Sequence, residues 1–258
     1  MKKLLLSAAV AALIASPAAA QTYRVGVTAG PHAQVLEAVV PEAKKLGLDI
    51  RVVEFTDYVI PNQALANKEI EINSFQHEPY LRNQASKTNW KIAKVAYSIA
   101  SPMGFYSKKY KSFADIPAGA TIAIQNDPTN GARALQLLAA NNIIKLRDGA
   151  GVTAGVADIV ENPKRYRFIE LDAAQLPRSL PDVDAAAVNN NYAVQGGLDP
   201  VRDAIIKETS DGPWVNIIAV REEDKDKPWV ATFVKAYQSE PVKKFINETF
   251  KGAYVAAW

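Results

Sequence analysis

The sequence predicts an α/β protein whose two lobes are joined by extended crossings of the chain. Strand patterns alternate with helix patterns in a first unit near the N-terminus and in a second unit that begins near residue 121. This alternation is typical of parallel strands covered by helices. No linker rich in Pro, Gly or Ser and no internal repeat separates the units. Two lobes joined by crossings therefore fit better than two domains on a tether.

The first unit reads as three strands that alternate with helices. Residues 23–29 alternate apolar and polar side chains, as a half-buried strand does, and an apolar stripe at helical spacing then runs to Gly47. Residues 48–55 are rich in Ile and Val and form the second predicted strand. The remaining elements are a helix at 59–67, a strand at 70–75 and a polar helix that begins near Glu78.

The second unit repeats this rhythm. A strand at 121–124 ends in a turn at 126–130 that signals a helix start, and an apolar stripe at helical spacing follows. Two further strands are predicted at 166–171 and 183–188. These elements predict a second sheet with its own covering helices.

Two long extended stretches, at 94–106 and 214–221, are the predicted crossings between the lobes. We accordingly assign residues 21–103 and 208–258 to the first lobe and residues 104–207 to the second. Because the chain returns late, its C-terminal helices are expected to pack on the first lobe.

The N-terminus predicts an exported protein. Lys2 and Lys3 precede an apolar run at 4–14, and the small residues at 16–20 suit signal peptidase, with cleavage between Ala20 and Gln21. The apolar run is shorter than the roughly 20 residues needed to span a bilayer, and no stop-transfer pattern follows. We therefore expect a cleaved signal peptide over residues 1–20.

The composition excludes several classes of function. The chain holds 30 Lys and Arg against 27 Asp and Glu, a formal net charge of +3. It lacks the basic field of a nucleic-acid-binding protein, so no nucleic-acid partner is expected. The absence of cysteine excludes disulfides, thiolate nucleophiles and Cys-ligated zinc. Only His32 and His77 offer imidazole ligands, without metalloprotease spacing. We expect no metal site and no cofactor.

No catalytic motif is visible. The sequence has no Gly-x-Ser-x-Gly elbow, no Ser-x-x-Lys and no glycine loop that would cradle a phosphate. No pair of carboxylates stands out by its spacing for acid and base catalysis. The residues therefore indicate that the protein is not an enzyme.

Aromatic residues follow two of the predicted strands, where a doubly wound sheet places its ligand crevice. Tyr58 comes just after the second strand, and Phe75, His77 and Tyr80 follow the third. If the strand continues through His77, this side chain and Phe75 point to the same side. The residues can line a ligand site or form a buried aromatic cluster with a hydrogen-bonded histidine, and both interpretations stay open.

Arg133 is a candidate anion ligand. Thr129 is the expected N-cap of the helix after the 126–130 turn, which places Arg133 in the first turn, near N–H groups that attract an anion. The helix dipole repels a cation there unless a partner compensates. A ligand carboxylate bound in bidentate fashion would be such a partner, whereas a solvent-exposed arginine is the alternative.

Two asparagines are unusual in their settings. Asn189 follows the 183–188 strand, and Asn216 interrupts the apolar run at 214–218. A buried asparagine needs a partner, and a ligand ammonium group would suit its carbonyl. For residues 189–191, an ordinary turn is the alternative.

The same segments carry a family resemblance. The sequence resembles the methionine-binding members of the NlpA lipoprotein family, which are substrate-binding proteins of ABC importers. The similarity covers nearly all of residues 23–258, and its motifs are FTDYVIPN at 55–62, NSFQHEPY at 73–80, NDPTN at 126–130 with Arg133, VENPK at 160–164, QLPRSL at 175–180, PWVNI at 213–217 and the terminal stretch 254–258.

The resemblance implies a fold, a ligand and partners. It implies the two-lobed periplasmic-binding-protein fold with methionine in a cleft between the lobes, delivered to the permease and ATPase subunits of an ABC importer by a periplasmic monomer. It also implies that Arg133 holds the ligand carboxylate and that Asn189 and Asn216 fix its polar end. By the same resemblance, the thioether would contact four residues: Tyr58, Phe75, His77 and Tyr80.

One departure from the family pattern concerns the membrane anchor. Many members carry a lipid on a cysteine that follows the signal, but this chain has Gln21 there and no cysteine. We therefore expect a soluble periplasmic protein without a lipid anchor.

Other functions remain open at this stage. The ligand can be L- or D-methionine, a methionyl dipeptide or another small amino acid. A secreted hydrolase or lyase that uses His77 as a base would need a nucleophile or metal, and neither is visible. A structural or adhesive surface protein would lack a closed pocket between the lobes.

Overall fold

The structure is a computed structural model that describes residues 21–209 and 212–258. It has two five-stranded sheets, each covered by helices, and this confirms the predicted two-lobed α/β fold. We call each sheet, with the helices packed on it, a lobe. The predicted signal peptide lies outside the described residues.

The first sheet has the strand order β2-β1-β3-β13-β4. Its strands are β1 (Thr22–Thr28), β2 (Asp49–Phe55), β3 (Ile72–Asn73), β4 (Ile92–Tyr97) and β13 (Ile217–Arg221). The second sheet has the order β10-β7-β11-β6-β12. Its strands are β6 (Gly104–Tyr106), β7 (Thr121–Gln125), β10 (Arg167–Leu171), β11 (Ala185–Val188) and β12 (Ile206–Lys207).

The described chain also has two small sheets, eight α-helices and three single-turn 3₁₀-helices. The small sheets pair β5 (Ile99–Ala100) with β14 (Val255–Ala256) and β8 (Lys145–Leu146) with β9 (Ile159–Glu161). The helices are α1 (Pro31–Lys45), α2 (Ile60–Ala66), α3 (Glu78–Thr88), α4 (Pro128–Ala140), α5 (Leu176–Ser179), α6 (Asn190–Gln195), α7 (Pro228–Tyr237) and α8 (Glu240–Phe250).

The expectation of parallel sheets is correct for only part of each sheet. In the first, β1 pairs in parallel with β2 and β3, but β13 is antiparallel to β3 and β4. In the second, β7 pairs in parallel with β10 and β11, but β6 is antiparallel to β11 and β12. Both antiparallel strands form the ends of the predicted crossings, β6 within 94–106 and β13 within 214–221. In a strand–helix–strand unit, the helix carries the chain back, so the next strand runs parallel to the first. Within these two described ranges the crossings contain no such helix, so the strand that ends each crossing enters the new sheet from the opposite end and runs antiparallel to its neighbours.

The third strand is shorter than the predicted 70–75. Ser74 N–H still donates to the Gly26 carbonyl of β1, but Gln76 and His77 leave that strand. The carbonyl of Gln76 accepts from Ile217 N–H, and His77 forms an isolated bridge with Asn216. The chain between β3 and α3 therefore pairs with the second crossing.

The C-terminal helices pack on the first lobe, as the late return of the chain suggested. The largest buried cluster of this lobe combines β1 and α1 with α7 and α8; among its side chains are Val25, Leu36, Val39, Phe233 and Ile246. The final strand β14 pairs with β5, which lies in the first crossing. Within the described ranges, no helix is long and apolar enough to cross a membrane.

Candidate functional site

A buried pocket lies between the two lobes. All seven residues that the sequence nominated line it: Tyr58, Phe75, His77, Tyr80, Arg133, Asn189 and Asn216. Five others line it too: His32, Gln76, Ser101, Asn130 and Asn191. The turns after β1, β2, β3, β7 and β11 and the helices that follow these turns supply most of these side chains, because the carboxyl ends of parallel strands meet at one edge of a sheet.

One wall of the pocket is aromatic. The ring centroid of Tyr58 lies 6.1 Å from that of Phe75 and 6.2 Å from that of Tyr80. The Tyr80 hydroxyl donates to the Tyr58 carbonyl at 2.9 Å, which joins the turn after β2 to helix α3. Burial raises the pKa of the Tyr58 hydroxyl well above its ordinary value, so this wall stays uncharged. The wall offers ring faces and edges to an apolar ligand group.

His77 caps helix α3 and is neutral. Its Nδ1 accepts the backbone N–H of Tyr80 at 3.1 Å, so it is a hydrogen-bonded histidine within an aromatic cluster as well as a pocket residue. Burial, and next to it the charge of Arg133, lowers the pKa of His77 to about 3. The Trp214 ring lies edge-on to the imidazole at 5.0 Å between centroids.

Arg133 is buried and already has an acidic partner, Glu208. The side chains are 4% and 11% exposed. The Glu208 carboxylate accepts from Nε of Arg133 at 2.8 and 3.0 Å and from Nη2, and the Ser101 carbonyl accepts from Nη2 at 2.8 Å. Glu208 therefore occupies the edge of the guanidinium that we expected a ligand to use. Among residues 21–209 and 212–258, Nη1 donates to no other residue.

The start of helix α4 differs from the prediction. The helix begins at Pro128, and Asp127, rather than Thr129, is the N-cap, with its carboxylate accepting from Asn130 N–H. Arg133 is consequently the sixth helical residue and lies in the second turn. A carboxylate caps a helix as well as a hydroxyl does, and Pro is favoured just after the cap.

Asn189 is not part of an ordinary turn but precedes helix α6 and is held by two amides. Its Oδ1 accepts from Gln125 Nε2 at 2.8 Å, and its Nδ2 donates to Asn130 Oδ1 at 2.9 Å. All three side chains are buried. The position and orientation of Asn189 in the pocket are therefore fixed by its neighbours.

Asn216 contacts the second histidine of the pocket. Its Nδ2 donates to Nε2 of His32 at 3.4 Å. Burial lowers the pKa of His32 to about 4, with a backbone hydrogen bond at Ser74 acting in the opposite direction. His32 is thus a neutral acceptor near neutral pH. The NH₂ group of Asn216 therefore points toward His32.

Hydrogen bonds of helix α6 side chains join the lobes. The Tyr58 hydroxyl donates to Asn191 Oδ1, and the Tyr192 hydroxyl donates to the Thr56 carbonyl at 3.1 Å. Gln195 Nε2 donates to the Ala29 carbonyl at 2.8 Å. Helix α6 of the second lobe therefore contacts the turns after β1 and β2, which is a closed arrangement.

The sequence did not predict five of the residues that line the pocket, nor Glu208, the partner of Arg133. His32 and Asn130 follow β1 and β7, so applying the strand-end rule to every strand would have found them. Gln76, Ser101 and Asn191 lie within segments that the sequence singled out, but none of the three has a distinguishing signal of its own. Glu208 lies in an unremarkable polar stretch, 75 positions from Arg133.

The pocket is rich in hydrogen-bonding groups and poor in charge. Arg133 is its one ionised side chain among the described lining residues, and no carboxylate faces the space directly. Within the described ranges, no three His, Asp or Glu side chains are grouped so as to hold a metal ion. The arrangement can bind a small molecule with an apolar end and an anionic end.

Comparisons with known proteins agree with this geometry. The NlpA lipoprotein family matches residues 23–258. The D-methionine-binding lipoprotein MetQ of Yersinia pestis is 44% identical over 238 residues, covering 91% of this chain and 88% of that protein. A nutrient-binding protein from Burkholderia cenocepacia, solved bound to methionine, is 51% identical with a TM-score of 0.90 and covers 92% of this chain and 100% of its own.

A third protein links the fold to ABC transport. It is a periplasmic substrate-binding protein of an ABC transporter from Coxiella burnetii, 42% identical with a TM-score of 0.88. The matched region covers 91% of this chain and 100% of that one. With the family match spanning nearly the whole described chain, this protein belongs to the NlpA lipoprotein family.

Proposed function

We propose that this protein captures methionine between its lobes and delivers it to an ABC importer. The observation that carries the proposal is the buried pocket that joins an aromatic wall to the guanidinium of Arg133. Relatives of this protein are named for methionine binding or solved with methionine bound. An amino acid with an apolar side chain matches the two ends of the pocket.

The aromatic wall is proposed to hold the thioether. Tyr58, Phe75 and Tyr80 present ring faces and edges within about 6 Å of one another. Sulfur packs favourably against aromatic rings, by about 0.3–1.5 kcal/mol per contact. His77 is neutral and closes the same wall.

The polar end of the ligand is proposed to lie at Arg133, Asn189 and Asn216. Nη1 of Arg133 is the donor left for a carboxylate, because Glu208 and Ser101 engage Nε and Nη2. The ammonium group would be bound by neutral oxygens such as the amide carbonyls, since no carboxylate lines the pocket among the described residues. A zwitterionic amino acid with an uncharged side chain suits a pocket that offers one guanidinium and several neutral oxygens.

The lobe boundaries follow from the crossings. We propose that residues 21–103 and 208–258 move as one lobe and residues 104–207 as the other. The sheet membership of the strands supports this division, since β1 to β4 and β13 form one sheet and β6, β7, β10, β11 and β12 form the other. Closure of the lobes would exclude water from the ligand and form the surface that the permease recognises.

We further propose that the protein is a binding protein without catalytic activity, a monomer that is free in the periplasm after cleavage near Ala20. The relatives are named lipoproteins, but the 258 residues of this chain include no cysteine. Its partners would be the permease and ATPase subunits of the importer. Release of the protein by osmotic shock, without detergent, is the expected result; retention in the membrane fraction would contradict the proposed location.

Isothermal titration of the purified, ligand-stripped protein tests the ligand. We expect saturable binding of L-methionine, and D-methionine and glycyl-methionine titrated in parallel define the preference. L-Norleucine, which replaces the sulfur by a methylene, should bind up to about tenfold more weakly if the rings contact the sulfur. The absence of heat with both methionine enantiomers would refute the assignment, and mass spectrometry of the recovered ligand would reveal any turnover.

A further inference from the structure

Asp127 does not line the pocket, yet its carboxylate is connected to the pocket through one amide. Its Oδ1 accepts from the backbone N–H of Asn130 at 2.9 Å and from Thr129 Oγ1 at 3.0 Å. Its Oδ2 accepts from the side-chain Nδ2 of the same Asn130 at 2.9 Å. Asp127 therefore caps helix α4 and holds a pocket residue at the same time.

The carboxylate determines which way the Asn130 amide points. An ionised carboxylate only accepts hydrogen bonds, so Asn130 must turn its NH₂ group toward Asp127. Its Oδ1 then faces the opposite direction, where it accepts from Asn189 Nδ2 at 2.9 Å. The orientation of Asn189 follows from that of Asn130, and we call Asp127, Asn130 and Asn189 the amide relay.

The far end of the amide relay demands the same orientation. Gln125 Nε2 donates to the backbone carbonyl of Ala187 at 3.2 Å, and a carbonyl only accepts. The same NH₂ group donates to Asn189 Oδ1 at 2.8 Å. Two acceptor-only groups, the Asp127 carboxylate and the Ala187 carbonyl, thus fix every amide between them.

His77 of the first lobe joins the amide relay from across the cleft. Its Nδ1 accepts from Tyr80 N–H, so in the neutral ring the proton lies on Nε2. This nitrogen is 3.4 Å from Asn130 Oδ1, the longest contact of the set. The oxygen of Asn130 is therefore the acceptor for one donor from each lobe.

We propose that Asp127 is a positioning residue of the ligand site: through Asn130, and together with the Ala187 carbonyl at the other end, it fixes the amide orientation of Asn189 and holds an acceptor against the Nε2–H group of His77. This inference rests on the proposed binding of an amino acid in the pocket. The chemical consequence is that Asn189 directs its NH₂ group into the amide relay, which leaves carbonyl lone-pair capacity for a ligand ammonium group.

Asp127→Asn tests the inference because it keeps the helix cap while adding a donor. The new side-chain oxygen would stay on Asn130 N–H, and its NH₂ group would replace Oδ2. Asn130 must then flip and present its NH₂ group to Asn189 and His77, which are both donors. Leaving buried donors unpaired should weaken L-methionine binding by about tenfold or more.

Asp172→Asn is the matched control. Asp172 also follows a strand of the second sheet and accepts a backbone N–H, that of Ala174, but it contacts no member of the amide relay. Its substitution should leave L-methionine affinity unchanged. Thermal unfolding of both variants separates a loss of folding from a change in the pocket.

The ¹⁵N NMR signals of the His77 ring nitrogens distinguish a positioning role of Asp127 from a merely structural one. A purely structural role would leave these signals unchanged. In ¹⁵N NMR spectra of the ligand-free protein, protonated and unprotonated ring nitrogens resonate apart; the chain has 2 histidines, so His77→Gln identifies the signals. We expect Asp127→Asn to change the Nε2–H signal and Asp172→Asn to leave it alone.

Two results would overturn the inference. One is an unchanged His77 signal in Asp127→Asn, whatever happens to affinity, and the other is unchanged affinity for L-methionine despite an altered signal. Because the NMR experiment needs no ligand, a wild-type protein that fails to bind methionine would refute the proposed function separately from the effect of Asp127 on the His77 Nε2–H group.

Discussion

Glu208 neutralises Arg133 inside the protein: its carboxylate accepts hydrogen bonds from Nε and Nη2 of the guanidinium, and both side chains are nearly buried. The same carboxylate accepts from Met103 N–H at 2.8 Å, which ties the pair to the first crossing. Arg133 is therefore held in place before any ligand arrives. This relationship carries two predictions, one for stability and one for binding.

Glu208→Ala should lower the free energy of unfolding by about 3–5 kcal/mol, because it leaves the buried guanidinium without a counter-charge. Glu161→Ala is the control, since it breaks the pair with Lys145, in which both side chains are more than half exposed. Such an exposed pair contributes less than about 1 kcal/mol. Urea unfolding of both variants is the measurement; equal losses would show that Glu208 does not compensate Arg133.

Arg133→Ala should weaken L-methionine binding by about a hundredfold or more, because a buried charged contact costs several kcal/mol to truncate. The single variant also leaves Glu208 unpaired. The resulting loss of protein stability would complicate the interpretation of the measured affinity. In Arg133→Ala/Glu208→Gln, that unpaired charge is gone, and stability should recover while binding does not. Titration and urea unfolding of both variants separate the effects; near-normal affinity in either would refute the role of Arg133.

Local sequence predicted the aromatic side of the pocket well. Tyr58 and His77 stand next to strand ends, and the strand-end rule needs only the order of strands and helices to bring them to one edge of a sheet. The direction of β6 and β13 was not predictable in this way, because an apolar pattern identifies a strand without its direction.

Polar contacts between residues far apart in the sequence were also not predictable. Glu208 pairs with Arg133 across 75 positions, and nothing in the local pattern around Glu208 distinguishes it from a surface residue. Thr129 was the expected cap, whereas Asp127 is the observed one, because both residue types cap helices and sequence alone does not rank neighbours. The amide relay depends on acceptor-only groups that become visible only in three dimensions.

Tyr192→Phe should weaken L-methionine binding by roughly two- to tenfold, because it removes the hydrogen bond to the Thr56 carbonyl that joins the closed lobes. Tyr166→Phe is the control, since that ring packs against Phe113 inside the second lobe. Titration measures the affinity, and small-angle X-ray scattering compares the closed fraction with ligand present. Equal affinities for the two variants would exclude a contribution of Tyr192 to closure.

Gly131→Ala should disturb the pocket through the backbone. A Cβ at this position would lie 2.8 Å from the Gln125 carbonyl oxygen, so helix α4 must shift and carry Asn130 and Arg133 with it. Overpacking costs about 1–3 kcal/mol, which exceeds the roughly 1 kcal/mol that alanine gains over glycine in a helix. We expect lower stability and weaker L-methionine binding.

The control for Gly131 is Gly155→Ala, because nothing lies within 4 Å of a Cβ built at Gly155 and its φ is −111°. This variant should unfold at the wild-type urea concentration and bind L-methionine normally. A Gly131→Ala protein that matched it in both measurements would show that the approach of α4 to β7 is not required.

The two buried histidines predict how stability depends on pH. Burial lowers the pKa of His77 to about 3 and that of His32 to about 4, from an ordinary value of 6.5. Each histidine is therefore neutral in the folded protein and takes up a proton only on unfolding, in the interval between the two values. Their contribution to stability is fully present above pH 6.5 and is lost as the pH falls below it.

Well below pH 6.5, the free energy of unfolding should fall by about 1.4 kcal/mol per pH unit for each histidine. Urea unfolding between about pH 7.5 and 5.5 follows the onset of this slope, which approaches its limit at the lower end, while most carboxylates stay ionised. His77→Gln removes one of the two protons and should reduce the slope by about half, whatever its effect on absolute stability. An identical slope in the variant would show that His77 takes up its proton over the same pH range in the folded and the unfolded protein, which is incompatible with burial that keeps the imidazole neutral.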